Sequence, residues 1–343
     1  MIESKRRKLE ESKHGFYPIL PDELCEETPL VEVYIDEIAD PKNISRVIVE
    51  LNSILPIEEL SHLKRVKFPF ILLFPKNLCD KDDVHSYLKN KKFDTNYLKN
   101  DVKIINVAKI PPKIRKQYDD AQKLWPCNFH SNKYLEKLTQ NTLFNDQEIN
   151  QYKILMKMAI DIANQQDQIN PIGVVVFDPK IQSVVAIGYK TELSPMAHPV
   201  MTAIDNVAIT QNGGAWNQEK SIIDENVSNS LNQNGIPENY LKILKDKYPH
   251  AKFGATNYRN KDELDNPEDG PYLCTGYYVF VTHEPCIMCS MALIHSRAKR
   301  VFFGVKSSNG GLESLCKVHT VKDLNHHYEV WGGLLEEDCG KLK

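Results

Sequence analysis

The sequence has no run of apolar residues near the roughly 18–20 that a membrane helix needs. Its first eight residues, Met-Ile-Glu-Ser-Lys-Arg-Arg-Lys, lack the apolar core of a secretory signal. It contains no internal repeat, and of its eight cysteines only Cys286 and Cys289 lie close together. These absences argue against a membrane protein, a membrane partner and a disulfide framework. They leave reduced thiols or metal ligands as the roles of the cysteines.

The composition is that of a globular chain with room for about two domains, at roughly 100–200 residues each. Of 343 residues, 41% are hydrophobic and 26% charged. We predict a flexible charged tail over 1–28, an α+β domain over 29–112 and a connector over 113–145. A second domain follows over 146–343 and contains a polar insertion at about 211–270, which we expect to be partly disordered.

The first domain shows an alternation of strand and helix patterns. Residues 30–35, 66–74 and 102–110 are typical of strands, whereas 41–55 and 82–91 have helical spacing. Pro69 marks an edge or a break within the second strand. The order β-α-β-α-β predicts a small α+β domain, for which a ferredoxin-like fold is a candidate.

In the second domain, the pattern of helices and strands is α-β-β-α-β-α-β. This order predicts an α/β fold, a three-layer α/β/α domain around a mixed sheet. The apolar runs 171–178 and 277–282 are typical of buried strands. Within the polar insertion, residues 240–247 have the spacing of a short helix.

Positive charge is concentrated in one segment of a chain whose net charge is −3. Residues 60–137 hold 17 Lys and Arg against 8 Asp and Glu. Such a segment attracts phosphate backbones, although a solvated lysine-rich face explains the same charge. The candidate RNA contacts are Lys64, Arg65, Lys67, Lys113, Arg115 and Lys116.

The connector also places aromatic residues among these cations. Tyr118, Trp125 and Phe129 can stack on unpaired bases. Packing of the same rings onto a domain is an equally good explanation. The basic quartet at residues 5–8 is weak evidence for a nuclear address, and a solvated terminus is the favoured explanation. We expect a protein of the nucleus and the cytoplasm.

The most informative residues stand at two predicted helix starts. His198 opens one helix, and Cys286 and Cys289 form a Cys-x-x-Cys pair at the start of another. A helix N-terminus favours thiolates, and one imidazole with two thiolates suits zinc. Two buried free cysteines and an unrelated histidine are the alternative. The preceding Pro285 and the upstream histidine favour the zinc site.

These residues resemble the H-x-E…P-C-x-x-C signature of zinc-dependent base deaminases. The segments 270–277, 323–327 and 331–339 resemble more closely the non-catalytic subunit of the eukaryotic tRNA wobble-adenosine deaminase, within the cytidine/deoxycytidylate deaminase-like superfamily. The resemblance is strong over 146–343 and weaker over 30–145. It implies a heterodimer with a catalytic subunit, tRNA binding by the first domain, and conversion of the wobble adenosine to inosine.

Val200 stands where the active relatives carry a glutamate that moves protons. Valine cannot titrate, and loss of a general acid–base costs about 10²–10⁴-fold in rate. We therefore expect no catalytic residue and no activity from the chain alone. Rescue by another acid, Glu284 or Asp205, would instead give a deaminase that acts alone. A zinc-stapled RNA-binding scaffold without a deaminase partner is the third hypothesis.

A structural zinc usually has four protein ligands. Cys339 near the C-terminus is a candidate for the fourth, with water or a free surface thiol as the alternatives.

Overall fold

The computed structural model describes residues 15–80, 83–167, 169–191, 194–216, 231–256 and 272–342. It divides into two compact units, which are described separately. Unit 1 comprises residues 22–140, and unit 2 comprises residues 15–21 and 141–342. The predicted nuclear address at residues 5–8 lies outside the described residues.

Unit 1 is built on a four-stranded antiparallel sheet. Its elements are α1 (Asp22–Cys25), β2 (Leu30–Glu37), α2 (Ile44–Ile54), β3 (Val66–Lys67), β4 (Phe70–Pro75), α3 (Val84–Asn90), β5 (Lys103–Ala108), α4 (Arg115–Leu124) and α5 (Lys133–Thr139). The strand order is β3-β4-β2-β5. From β2 to β5 the chain runs β-α-β-β-α-β, which is the ferredoxin-like topology.

Pro69 accounts for the difference between the predicted and observed strand orders. The predicted strand 66–74 is interrupted at Phe68 and Pro69, so that β3 and β4 form an antiparallel hairpin. Proline lacks a backbone N–H and cannot take part in a continuous ladder. The single predicted strand is thus two strands, β3 and β4, and the additional strand completes the four-stranded ferredoxin-like sheet.

The predicted connector contains folded elements of unit 1. Helices α2 and α3 cover one face of the sheet, where Val47 and Leu88 are buried. Helix α4 covers the other face, where Ala121 and Trp125 pack against Val107. Packing therefore accounts for the burial of Trp125, whose Nε1 donates to the Lys64 carbonyl at 2.6 Å.

Unit 2 is built on a seven-stranded mixed sheet. Its elements are β1 (Tyr17–Pro18), α6 (Asp146–Asn164), β6 (Val174–Asp178), β7 (Ser183–Gly188), α7 (Pro199–Thr210), α8 (Glu238–Lys247), β8 (Lys252–Phe253), β9 (Tyr278–His283), α9 (Ile287–His295), β10 (Arg300–Val305), β11 (Glu329–Gly332) and α10 (Glu336–Cys339). The strand order is β1-β11-β10-β9-β6-β7-β8. Strands β9, β10 and β11 run parallel, while β6 is antiparallel to both β9 and β7.

Helices cover both faces of this sheet, as the three-layer prediction requires. Alternate residues of a strand point to opposite faces. Val301 and Phe303 of β10 belong to the core cluster formed with α7 and α9. Phe302 points the other way and packs against Tyr152 of α6. The face that bears α7 and α9 is the one that carries the candidate metal ligands.

The structure shortens the predicted tail. Residues 16–20 are ordered by burial of Phe16, Ile19 and Leu20, and β1 pairs with β11. The tail prediction is therefore wrong for this stretch, because apolar side chains among its charges are buried in unit 2.

In the polar insertion, α8 confirms the predicted helix and β8 extends the sheet. Residues 217–230 and 257–270 of the insertion lie outside the described ranges, so its expected partial disorder stays a prediction. Among the described helices, none combines the length and apolar character needed to cross a membrane.

Candidate metal centre and basic surface

The N-termini of two neighbouring helices bring the three predicted ligands together. His198 is the N-cap residue of α7 and Cys286 is the N-cap residue of α9. Both have extended backbone conformations, so their side chains stand at the open ends of the helices. Cys289 follows in the first turn of α9. Pro199 suits the first position of α7, where its missing N–H costs no hydrogen bond.

The donor atoms are spaced as a tetrahedral zinc ion requires. His198 Nδ1 lies 3.6 Å from Cys286 Sγ and 3.7 Å from Cys289 Sγ. With zinc–sulfur bonds of about 2.3 Å and zinc–nitrogen bonds of about 2.0–2.1 Å, a tetrahedral angle separates the two donors by about 3.6 Å. Within the described part of the chain, these residues form the one group of three or more His, Cys, Asp or Glu able to hold a metal ion. The donor set therefore fits zinc.

The surroundings of the two thiols differ. Cys289 is buried, and this burial raises the pKa of its thiol. The backbone N–H of Met201 on α7 donates to its sulfur, and two helix N-termini point at the group. Cys286 is half-buried and His198 is exposed. The site is thus closed on the side of the sheet and open towards solvent.

Val200 is sealed inside the protein next to this group. It is 3% exposed and belongs to the same apolar cluster as Val281, Cys289 and Leu293. The position that bears an acid in base deaminases is therefore filled here by a hydrocarbon that packs into the core.

The structure does not bring Cys339 into the group. Its side chain packs against Gly304, where an added Cβ would lie 2.3 Å from the sulfur. Gly304 lies two residues beyond Phe302 on β10 and so faces the α6 side of the sheet. Cys339 is fully buried there, and its thiol donates to the Leu334 carbonyl at 3.9 Å. It is therefore neither a ligand of this group nor a surface thiol.

Neither acid weighed as a replacement for Val200 is placed to move protons at the group. Glu284 is buried, and its carboxylate accepts hydrogen bonds from the loop that follows β10. Asp205 lies two turns along α7, and its Oδ1 accepts the Ala215 N–H at 2.5 Å beyond the end of the helix.

The structure removes Arg65 from the candidate RNA contacts. Its side chain is buried, with 7% exposed, and donates from one nitrogen to the carbonyls of Leu55 and Leu73, each at 3.0 Å. Burial lowers the pKa of its guanidinium to about 10. The residue holds two segments of unit 1 together and offers no charge to a ligand.

The other basic candidates remain at the surface of unit 1. Lys64, Arg115 and Lys116 are exposed, whereas Lys113 is partly neutralised by Glu23 at 2.6 Å. Lys67 is exposed and donates to the Leu124 carbonyl at 3.0 Å, at the end of α4.

Two connector aromatics pack against each other beneath an arginine. The rings of Tyr118 and Phe129 stack at 5.0 Å between centroids. The Arg115 guanidinium lies over both rings, 5.5 and 5.2 Å from their centroids. These rings are therefore largely engaged within the protein.

The sequence reasoning overlooked Phe68, at the tip of the β3–β4 hairpin. This ring is 66% exposed and directly follows Lys67. Its position in an apolar run, Val66 to Phe74, suggested a buried strand residue. The adjacent Pro69 was the one signal that the strand breaks there.

Comparisons with known proteins agree with both units. The family model for the cytidine and deoxycytidylate deaminase zinc-binding region matches residues 149–305. The model for the tRNA-specific adenosine deaminase TAD3 N-terminal domain matches residues 31–125.

Curated relatives align over most of the chain. The probable inactive tRNA-specific adenosine deaminase-like protein 3 of Danio rerio is 32% identical, over 95% of this chain and 93% of the relative. The human protein of the same description is 30% identical, over 94% and 90%. The tRNA-specific adenosine deaminase subunit TAD3 of Saccharomyces cerevisiae is 24% identical, over 81% and 76%. With matches of this identity and extent, the chain belongs to the TAD3 family of tRNA-specific adenosine deaminase-like proteins.

Proposed function

We propose that this chain is the non-catalytic subunit of a heterodimeric tRNA adenosine deaminase. The partner supplies the catalytic glutamate, and the pair converts the wobble adenosine of the anticodon to inosine. The observation that carries the proposal is Val200, an apolar residue packed beside an otherwise complete set of metal ligands. The printed descriptions of the relatives support it, since they read "probable inactive" for the vertebrate proteins and "subunit" for the yeast protein.

Zinc at His198, Cys286 and Cys289 would have a structural role in this chain. The ion supplies a positive centre that joins the first turns of α7 and α9. His198 contributes Nδ1, and the two cysteines contribute thiolates that the helix N-termini stabilise. Of the described residues weighed for proton transfer beside the group, Val200 is aliphatic and the Glu284 carboxylate is occupied by hydrogen bonds from the loop that follows β10. We therefore assign no chemical step to this site.

The basic surface of unit 1 is our candidate for tRNA binding. Lys64, Lys67, Arg115 and Lys116 are exposed there, and Phe68 adds an accessible ring beside Lys67. Lysine and arginine contacts to phosphates release counterions, so that binding weakens steeply as salt is added. An exposed aromatic ring can also stack on an unpaired base. The partner then receives the flipped adenosine. We place the complex in the nucleus and the cytoplasm.

The deciding experiment measures inosine formation in an adenosine-wobble tRNA transcript. The purified chain, the catalytic subunit and an equimolar mixture are assayed in parallel. We expect conversion at full rate only in the mixture, with the two chains co-eluting at a one-to-one ratio. Conversion by this chain alone would show that another residue moves the protons. Failure of the two chains to associate would favour the zinc-stapled scaffold.

A further inference from the structure

Glu284 receives five hydrogen bonds from a single loop. Its Oε1 accepts the backbone N–H groups of Leu312, Glu313 and Ser314 at 3.0, 2.6 and 3.0 Å. Its Oε2 accepts the Ser307 N–H at 3.2 Å and the hydroxyl of Ser314. The side chain is 3% exposed. A buried carboxylate is costly unless it is well paired, and here backbone dipoles provide the pairing.

The same loop, residues 307–314, forms backbone hydrogen bonds with the start of α9, the helix that carries Cys286 and Cys289. Gly310 forms an antiparallel bridge with Cys286, and the Gly311 N–H donates to the Pro285 carbonyl at 2.8 Å. The loop packs so closely here that neither residue 310 nor residue 311 has room for a side chain. An added Cβ at Gly310 would lie 2.0 Å from the Glu284 carboxyl carbon. Cys286 is thus held from both sides, by α9 and by the 307–314 loop.

We propose that Glu284 is a positioning residue for the metal centre. Its carboxylate holds the 307–314 loop against the start of α9, and the loop fixes the backbone of Cys286 so that its thiolate faces His198. This inference rests on the proposed function in one respect, namely that zinc occupies the group. Glu284 itself contacts neither the ion nor a substrate, and its lone pairs are directed at the loop.

Glu284→Gln tests this role with little change in shape. The amide keeps one acceptor oxygen, which suits the three N–H groups that Oε1 accepts, but it turns an NH₂ donor towards the Ser307 N–H. The loop therefore loses that hydrogen bond, and the bonds that remain lose the carboxylate charge that strengthens them. Ser314→Ala removes a single donor and leaves the four backbone bonds in place. Glu337→Gln is the matched control, because Glu337 is exposed on α10, away from the loop.

The test uses the full chain in complex with its catalytic partner, or alone where it is soluble. Zinc affinity is measured by competition with a chelator, and amide hydrogen exchange is followed over residues 286–290 and 307–314. For Glu284→Gln we expect about a tenfold weaker zinc affinity, in line with losses of outer-shell partners. We also expect at least tenfold faster exchange in both segments. Ser314→Ala should shift both readouts in the same direction by less, and Glu337→Gln should match the wild type.

Unchanged zinc affinity in Glu284→Gln would overturn the positioning role, even if loop exchange became faster. If that variant does not fold, the direction of change in Ser314→Ala decides the question. Failure of the proposed zinc site can be told apart from failure of the positioning role, because the wild type would then bind no zinc. In that case hydrogen exchange in the metal-free chain tests the positioning role. Faster exchange at residues 286–290 in Glu284→Gln supports positioning of Cys286 by the loop, and unchanged exchange refutes it.

Discussion

His319 Nε2 lies 3.1 Å from the carbonyl oxygen of Ile19, a residue 300 positions earlier in the chain. The ring is buried and stacks on Tyr328, and its Nδ1 is buried without a hydrogen-bond partner. Nε2 therefore carries the proton that it donates to Ile19, and Nδ1 is held neutral. This contact joins the β1 segment to the stretch between β10 and β11, and protonation of Nδ1 would leave a buried positive charge there without a partner.

Acidification should therefore weaken unit 2. Burial, with smaller contributions from Lys317 and His327, lowers the pKa of His319 from 6.5 to about 4. Between pH 6.5 and about 4, His319 is protonated in the unfolded chain but neutral in the folded chain. The free energy of unfolding therefore falls as the pH drops through this range. The loss reaches at most about 3 kcal/mol. Urea unfolding at pH 7.5, 6 and 5 measures it.

His319→Gln should flatten this pH dependence, whereas His250→Gln, at an exposed histidine, should retain it. An equal slope in both variants would contradict the assignment to His319.

Removing a candidate ligand should abolish zinc binding, whereas removing Cys339 should not. Cys289→Ala leaves one sulfur and one nitrogen in the group, which is too few donors to retain zinc. Cys339→Ala is a matched control, because Cys339 is a buried cysteine on the opposite face of the sheet. Metal analysis should give close to one zinc per chain for the control and almost none for Cys289→Ala. Loss of zinc from a folded Cys339→Ala variant would restore Cys339 as a ligand.

Val200→Glu should not turn the lone chain into an efficient deaminase. The new carboxylate would enter an apolar cluster that contains Val281 and Leu293, at a cost of several kcal/mol in stability. We expect inosine formation by the lone variant to stay at least about 10²-fold below that of the heterodimer. Val200→Ala controls for the loss of packing. Rates for the lone Val200→Glu chain that match the heterodimer would show that residue 200 was the sole defect.

Reversing charge on the basic surface should weaken tRNA binding without unfolding unit 1. For the double variant Lys64→Glu and Lys67→Glu we expect at least tenfold weaker binding at low salt and a shallower salt dependence. Lys242→Glu, at an exposed lysine on α8, should bind as the wild type does. Filter binding between about 50 and 200 mM salt compares the double variant, Lys242→Glu and the wild type. Equal losses in both variants would indicate general electrostatics only.

Arg65→Ala should behave differently from those surface variants. It leaves the carbonyls of Leu55 and Leu73 without their donor, at a cost of about 1–3 kcal/mol in the stability of unit 1. At temperatures where the variant is folded, we expect its affinity for tRNA to equal that of the wild type. Thermal unfolding together with the same binding assay separates the two effects. Weaker binding by a fully folded variant would return Arg65 to the RNA surface.

The amino-acid sequence by itself determined the features that depend on local spacing. Cys-x-x-Cys at the start of one helix and His198 at the start of another identified the three residues that the structure brings together. The missing acid at Val200 was readable from the resemblance to the H-x-E…P-C-x-x-C signature, because Val200 stands two residues after His198. Strand and helix periodicity likewise predicted a mixed sheet with helices on both faces and a preceding α+β domain.

Only the tertiary structure decided which side chains meet across long separations. Cys339 and Arg65 have the chemistry of a ligand and of a phosphate contact, yet packing buries one behind the sheet and the other inside unit 1. The sequence offered Glu284 as a possible replacement acid, whereas the structure surrounds its carboxylate with a loop more than 20 residues later in the chain. Periodicity specifies a residue's neighbours along an element. Burial and hydrogen-bond partners depend on how distant elements pack, and that is settled by the folded chain as a whole.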